Sequence, residues 1–196
     1  MQTAVLVHNS IHVHILQSPS ETRSAKKRNL SSVPLLLGCL KNANVHLYKP
    51  KECKKILPQQ IIEAINSGTA VLLFPSKDSL PLTTFDASIT TLIAPDSSWP
   101  EAMEMLRTGD GRLRPNRIRH IRLPDDNVRV SLYEQYGIRH EPGEGYLSTL
   151  EAVVEALKIL EPLCKPQCIL DEFERYLRSI KLVEDEKKCD RFEDTK

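Results

Sequence analysis

The chain has 196 residues, 40% of them hydrophobic and 27% charged, with 27 basic side chains against 26 acidic ones. That is enough apolar material for one domain with a real core, and the near-zero balance means overall charge argues neither for nor against nucleic acid. No stretch is apolar and long enough to span a bilayer, no leader pattern opens the chain, and five cysteines without framework spacing read as reduced thiols; we expect a protein of the cytoplasm or nucleus.

From the start, Ala4–His8 and Ile11–Leu16 read as two strands across an Asn9-Ser10 turn. His12 and His14 share one face of the second. A metal is one reading; polar side chains on a half-buried strand is the other, and no cysteine or carboxylate stands at matching spacing. Ser18 to Arg28 is a polar, basic loop. Ser31 and Ser32 lead into a short apolar helix, Val33–Leu40, and Asn44–Tyr48 reads as a strand. Pro58 opens a helix, Gln59–Asn66, that Ser67-Gly68 stops. Thr69–Phe74 is a continuous apolar run of strand length, so a central parallel strand, closed by Pro75-Ser76. Asp78–Ser88 is irregular and reads only as a crossover.

Thr91–Ala94 is a short buried strand that Pro95 should stop, since proline has no N–H for a sheet ladder. Asp96, Ser97, Ser98 and Trp99, the only tryptophan, follow. Pro100 then opens a helical run to Arg107. Strand, tight turn, helix is the layout in which open α/β sheets hold their sites, just past the carboxyl ends of strands. The plainer account makes Asp96 or Ser98 only an N-cap and Trp99 only an anchor. The runs ending in Phe74-Pro75-Ser76 and Ala94-Pro95-Asp96 look alike and should deliver polar residues to one edge, which we take as the functional edge.

Arg107, Arg112, Arg114, Arg117, Arg119, Arg122 and Arg129 follow, opposed only by Asp110, Asp125 and Asp126. Ile118–Leu123 reads as a strand with one arginine-bearing face. Arginine repeated on one face fits phosphate recognition better than solubility alone. His140–Gly145 is a glycine-containing loop. Leu147, Ser148 and Thr149 then start an amphipathic helix to Leu160, with Ser148 and Glu151 at capping-box spacing. Backbone N–H groups at such a start also suit an anion or carboxylate. Cys164 and Cys168 are half of a metal site at most, with no second pair at zinc spacing. A last helix spans about Gln167 to Leu182. We expect one domain, 1–182, and a charged tail, 183–196, that is frayed or disordered. No phosphate-binding glycine fingerprint and no serine or cysteine nucleophile paired with histidine is legible.

Four motifs in order carry a resemblance that spans about Val13 to Pro162. Asp96-Ser-Ser-Trp99-Pro-Glu-Ala102 resembles the signature of the DTW-domain family, Asp-x-Thr-Trp followed by a Ser-Gln-Ala-like helix start. Tyr136-Gly-Ile-Arg139 resembles its Tyr-x-Ile/Leu-Arg. Leu147-Ser-Thr-Leu-Glu-Ala152 matches its Leu-Ser-Thr-Leu-Glu-Ala, and Phe74-Pro-Ser76 resembles its strand end at that place. The chain departs from the pattern at Ser18, where the family's His-Pro-x-Glu has His while Pro19 and Glu21 are kept. Ser97 stands where Gly is frequent, and Ser98 takes the Thr position and keeps the hydroxyl. A cysteine-rich metal-binding segment often precedes the family's domain, and the sequence starts too late to include one.

The resemblance implies an α/β, SPOUT-like, mostly parallel sheet flanked by helices, with a trefoil knot near the C-terminal part where S-adenosylmethionine sits. It implies transfer of that molecule's 3-amino-3-carboxypropyl group to a uridine ring nitrogen of tRNA, leaving methylthioadenosine. Two tasks remain for the protein: alignment of the reacting carbon, and removal of the imide proton. Asp96 is the expected base, with burial beside Trp99 needed to raise its pKa. Trp99 could instead stack on the target base. With Ser98 these form the expected catalytic group. Pro75, Ser76, Tyr136, Arg139, Leu147, Ser148 and Thr149 are the expected cofactor residues; Arg112, Arg114, Arg117, Arg119 and Arg122 the expected RNA contacts; no metal is expected. RNA methyl transfer in the same fold and non-catalytic RNA binding stay open as alternatives. The sequence sets neither the uridine nor the oligomeric state.

Overall fold

A computed structural model of the chain describes residues 6–23, 25–48, 57–124, 130–138 and 146–193. Among them, six strands form one all-parallel sheet. These are β1 (His12–Gln17), β2 (Ala43–Leu47), β3 (Ala70–Leu73), β4 (Leu80–Pro81), β5 (Thr91–Asp96) and β6 (Arg119–Arg122), in the order β2-β1-β5-β3-β6-β4. The helices are α1 (Pro19–Arg23), α2 (Ala25–Leu30), α3 (Val33–Cys39), α4 (Gln59–Asn66), α5 (Trp99–Thr108), α6 (Leu132–Gln135), α7 (Thr149–Leu160) and α8 (Gln167–Glu193).

Side chains alternate across a strand, so neighbouring residues enter different layers. Val13, Ile15, Val71, Leu92 and Ala94 pack with α3, α7 and α8. Leu16, Leu72 and Ile93 pack with α4 and α5 on the other face. The central strands therefore bury both faces, which is why Thr69–Phe74 and Thr91–Ala94 read as unbroken apolar runs. β3 is central, between β5 and β6.

Several expectations need correction. Among the described residues no N-terminal hairpin forms: Val7 joins Leu40 in a lone parallel bridge, while Ala4 and Val5 lie outside them. The Asn9 side chain donates to Ile11 O and Asn42 O, which leads the chain toward the segment before β2. Ser18–Arg28 holds two short helices rather than a loop, because Pro19 suits a first helical position and the Ser18 hydroxyl accepts from Ser20 N. Asp78–Ser88 contributes the edge strand β4.

β5 runs through Pro95 to Asp96 instead of stopping at the proline. His12 N and Ser18 N donate to Thr90 O and Asp96 O, so even-numbered residues of β5 serve β1. Odd-numbered ones turn their N–H toward β3, as Thr91 N does to Thr69 O. Pairing with β3 ends at Ile93, so the N–H that Pro95 lacks has no ladder to break. The single arginine face is also corrected. Arg119 and Arg122 are an odd number of positions apart on β6 and project to opposite faces. Finally, α8 continues past Leu182 to Glu193, helped by an i,i+4 pair of Lys181 with Asp185 at 3.5 Å.

β1 leads to β2 on one side of the sheet, while β5 leads to β6 on the other. The carboxyl ends of β1 and β5 are therefore the topological switch point, the place where open parallel sheets form a crevice for ligands.

Candidate active site

Gln17 and Asp96 are register partners at that switch point, as the last residues of β1 and β5. Gln17 Nε2 donates to Asp96 Oδ2 at 2.8 Å, and the Thr149 hydroxyl donates to Oδ1 at 2.7 Å. Three elements distant in sequence thus converge on one carboxylate. Asp96 is not the cap of α5. That position belongs to Ser98, whose side chain makes no capping bond. The Ser98 hydroxyl donates to Glu101 Oε2 at 3.0 Å, and the Ser20 hydroxyl donates to the same oxygen at 2.7 Å. Ser18 Oγ in turn donates to Ser20 Oγ at 3.1 Å. The α1 start and the α5 start are stitched together there by hydroxyls around Glu101.

Thr149 owes its place to the expected capping box, which is present. Ser148 Oγ accepts from Glu151 N, and Glu151 accepts from Ser148 N at 3.0 Å. Glu151 is only 5% exposed and does more than cap. It also accepts from Ser131 Oγ at 2.9 Å and Leu132 N at 2.8 Å, bracing the start of α6 against α7. A buried carboxylate needs such a full set of donors. The Leu147–Ala152 motif is thus a brace through Ser148 and Glu151 and an arm toward Asp96 through Thr149.

Trp99 stacks on Phe74, with ring centroids 4.6 Å apart and planes at 24°, and meets the edge of Tyr146 at 4.9 Å and 73°. One indole face is therefore already taken by Phe74. The trio joins the ends of β3, β5 and the entry to α7 into an aromatic wall. Phe74, rather than Pro75 or Ser76, is what β3 brings to it. Pro75 is exposed. The Ser76 hydroxyl pairs with His120 Nδ1 at 3.0 Å, and His120 Nε2 lies 2.8 Å from Leu113 O. A carbonyl only accepts, so Nε2 carries a hydrogen; in the neutral ring Nδ1 then accepts from Ser76.

Other expected residues lie apart from this cluster. The Tyr136 hydroxyl donates to Glu174 Oε1 at 2.7 Å and accepts from Arg178 Nε at 2.7 Å, so it is tied to α8. These contacts hold the Glu174 carboxyl below its usual range, Tyr136 first and Arg178 second. Leu147 lines an open groove of about 470 Å³ with Leu132, Glu151, Leu170 and Glu174, between α6, α7 and α8. Arg139 lies outside the described residues.

The arginines divide between the two edges of the sheet. Arg119 is level with Val71 and Leu92, at the amino ends of the strands; Arg117 and Arg114, whose carbonyl accepts from Ile118 N at 3.1 Å, precede it there, on the far edge from Asp96, while Arg112 sits beside Asp110, whose N–H donates to the Tyr48 hydroxyl. Arg112 pairs with Asp110 and Arg119 with Asp86, each at 2.9 Å. Arg114 and Arg117 are exposed and have no ion-pair partner among the described residues. Arg122, last in β6, is on the carboxyl edge and donates to Ser79 O.

Of His12 and His14, both on β1, His14 meets His46 of β2. His14 Nδ1 lies 2.9 Å from His46 Nε2, and burial, then the charges of His46 and His12, push His14 down to about 4. No group of three metal-ligating side chains occurs among the described residues. Cys164 and Cys168 are free thiols; burial, then Glu161 and Cys168, pushes Cys164 up to about 11.

Gln17, Ser20, Tyr146 and the Glu101 carboxylate are not among the residues expected from the sequence. A signal existed for Gln17: like Asp96, it is a polar residue closing an apolar strand. Tyr146 directly precedes the Leu147 motif. Glu101 and Ser20 had none, because their contact spans 81 positions.

No solved structure matches the chain. Among curated proteins, it is 32% identical over 155 residues to tRNA-uridine aminocarboxypropyltransferase 2 of Drosophila melanogaster, covering 78% of this chain and 57% of that protein. It is 26% identical over 159 residues to the protein of that name from Macaca fascicularis, covering 79% of this chain and 49% of the relative. The Mus musculus protein of that name is 26% identical over 175 residues, 87% of this chain and 54% of its own length. The chain thus spans about half the length of these relatives. Residues 1–181 match the DTW domain, and the Asp96–Ala102 and Leu147–Ala152 motifs meet at one carboxylate within that span: the chain belongs to the DTW-domain family.

Proposed function

We propose that the chain transfers the 3-amino-3-carboxypropyl group of S-adenosylmethionine to a ring nitrogen of a tRNA uridine, leaving methylthioadenosine. The observation that carries this reading is the Asp96 carboxylate, fixed by Gln17 and Thr149 at the switch point of a parallel sheet. The names of the similar proteins support the same reaction.

The crevice suits such a donor, which combines a sulfonium cation, an adenine and an amino-acid end. Asp96 and Glu101 supply negative charge, Phe74, Trp99 and Tyr146 an apolar wall, and the first turn of the 12-residue α7 the positive end of a helix dipole. When bound, the donor supplies a carbon already activated by sulfur, so the carbon–sulfur bond breaks as the nitrogen–carbon bond forms. Asp96 accepts the imide proton, without which the uridine nitrogen is a poor nucleophile. Gln17 and Thr149 keep the carboxylate aimed at that proton. Trp99 and its neighbours exclude water and hold the flat partners in line. Ser98 and Ser20 keep Glu101 at the mouth.

A SPOUT-like arrangement with a C-terminal trefoil knot belongs to the same proposal. Its support is the path after β6: the chain returns to the middle of the sheet, so that Thr149 meets the end of β5. Arg122 on the near edge and Arg114 and Arg117 on the far edge serve a tRNA larger than the crevice.

The test incubates the protein with unmodified tRNA and donor labelled separately in the methyl and carboxypropyl carbons. Carboxypropyl label should enter uridine, and methylthioadenosine should accumulate. Methyl label in RNA with S-adenosylhomocysteine as product would make it a methyltransferase. Binding without either label would leave an RNA-binding protein.

A further inference from the structure

Asp96 accepts a hydrogen bond on each oxygen, and the donors come from separate elements. Gln17 Nε2 comes from the end of β1, 2.8 Å from Oδ2; Thr149 Oγ1 comes from the first turn of α7, 2.7 Å from Oδ1. An ionised carboxylate only accepts, so the amide must present its NH₂ and the threonine its hydrogen.

The Gln17 side chain is not needed to build the strand. Its backbone makes the ladder, accepting from Tyr48 N at 2.9 Å, and its side chain is 8% exposed in a largely apolar layer. An apolar residue would serve packing there at no cost in desolvation. The amide has one observed use, the contact with Asp96.

That use has a physical reason. The terminal torsion of an aspartate is broad, so one hydrogen bond leaves the carboxylate plane free to swing. Two donors from separate elements fix it. We infer that Gln17 is a positioning residue of the transfer reaction: with Thr149 as the other arm, it sets the plane in which Asp96 meets the uridine proton. The inference rests on the reading of Asp96 as proton acceptor. It also gives the Glu151 brace a purpose, since the brace locks the turn that carries Thr149.

The test is Gln17→Met, which keeps length and burial and removes the donor. Single-turnover rates are measured across pH with donor affinity, and the Asp96 carboxylate is titrated by carbon-13 NMR. Misaimed groups cost roughly tenfold to a hundredfold in rate, and that loss is expected with donor affinity nearly unchanged. Withdrawing a donor disfavours the charged carboxylate, so the acid limb of the rate profile and the NMR midpoint should both move to higher pH. A rate within about twofold of wild type at every pH overturns the inference, as misplacement of the base should cost more than that. An Asp96 midpoint that does not move overturns it too, and does so even if the wild-type chain transfers nothing, which would be the separate failure of the proposed reaction. Should Gln17→Met not fold, Thr149→Val removes the other arm with equal volume and carries the same expectations.

Discussion

β3 and β5 lie side by side, and each ends in an apolar residue, a proline and a polar residue: Phe74-Pro75-Ser76 and Ala94-Pro95-Asp96. Both ends reach the same edge of the sheet. Ser76 turns its hydroxyl to the buried His120, which passes on to Leu113 O, so this end is spent on holding β6 and the segment before it. Asp96 turns its carboxylate to Gln17 and Thr149, at the switch point. The neighbour decides the difference. β3 stands between strands whose connections do not diverge there, whereas β5 stands beside β1, where they do. A strand end of this kind marks the edge of a sheet; the change of direction marks the site.

The largest effect should come from Asp96→Asn. Shape is kept, and the neighbours can adapt: Gln17 can turn its amide oxygen toward the new NH₂, and Thr149 can keep donating to the oxygen. Only the basic carboxylate proposed as proton acceptor is gone. Single-turnover transfer should fall by roughly a hundredfold or more, the usual scale of a general base, with the melt and tRNA affinity close to wild type. A fully active Asn variant would leave Asp96 and Ser76 equal as structural ends and the comparison would collapse.

Ser76→Ala should do the converse. His120 is 3% exposed, and the variant leaves its Nδ1 buried without a partner. Such an orphan costs about 1–3 kcal/mol, read as roughly 2–4 °C in Tm for each kcal/mol in a chain of this size. Transfer at saturating donor should stay within about threefold, because no group at the reacting atoms changes. If donor affinity fell instead and the melt did not move, Ser76 would hold the donor after all.

How much of this was legible follows from the range of each contact. α4 and α7 were placed at Gln59–Asn66 and from Ser148 to Leu160 because Pro58, Ser67-Gly68 and the Ser148–Glu151 box act within a turn. The shared edge of β3 and β5 was legible because both are buried runs cut by proline. The clamp was not. Gln17 is 79 positions from Asp96 and Thr149 is 53, and no local pattern joins them. Pro95 inside β5 is not legible for a related reason: whether a proline ends a strand depends on whether a partner needs its N–H. Trp99 stands out in the sequence, but its partners Phe74 and Tyr146 come from other segments. The arginines look like one face because a sequence run is continuous, whereas a strand passes through the sheet and divides it.

That division yields the smallest effect and the last test. Arg114 and Arg117 are on the edge opposite Asp96, exposed and without an ion-pair partner among the described residues, while Arg112 and Arg119 already face Asp110 and Asp86. If this edge meets tRNA, it can do so only through phosphates far from the reacting base. Replacing Arg114 and Arg117 with Ala should then weaken binding several-fold at moderate salt and lower the slope of log affinity against log salt by roughly 0.7–0.9 for each lost contact. The single-turnover rate at saturating tRNA should not change, because neither side chain approaches Asp96, Gln17 or Thr149. The Asp96→Asn variant should show the opposite split, with rate lost and binding kept. Identical salt titrations for the double variant and wild type would make the far edge a solvated surface and confine RNA contact to the carboxyl edge around Arg122. A rate loss that saturating tRNA does not restore would show that the two edges are coupled through the sheet, and that binding and chemistry are not divided between them.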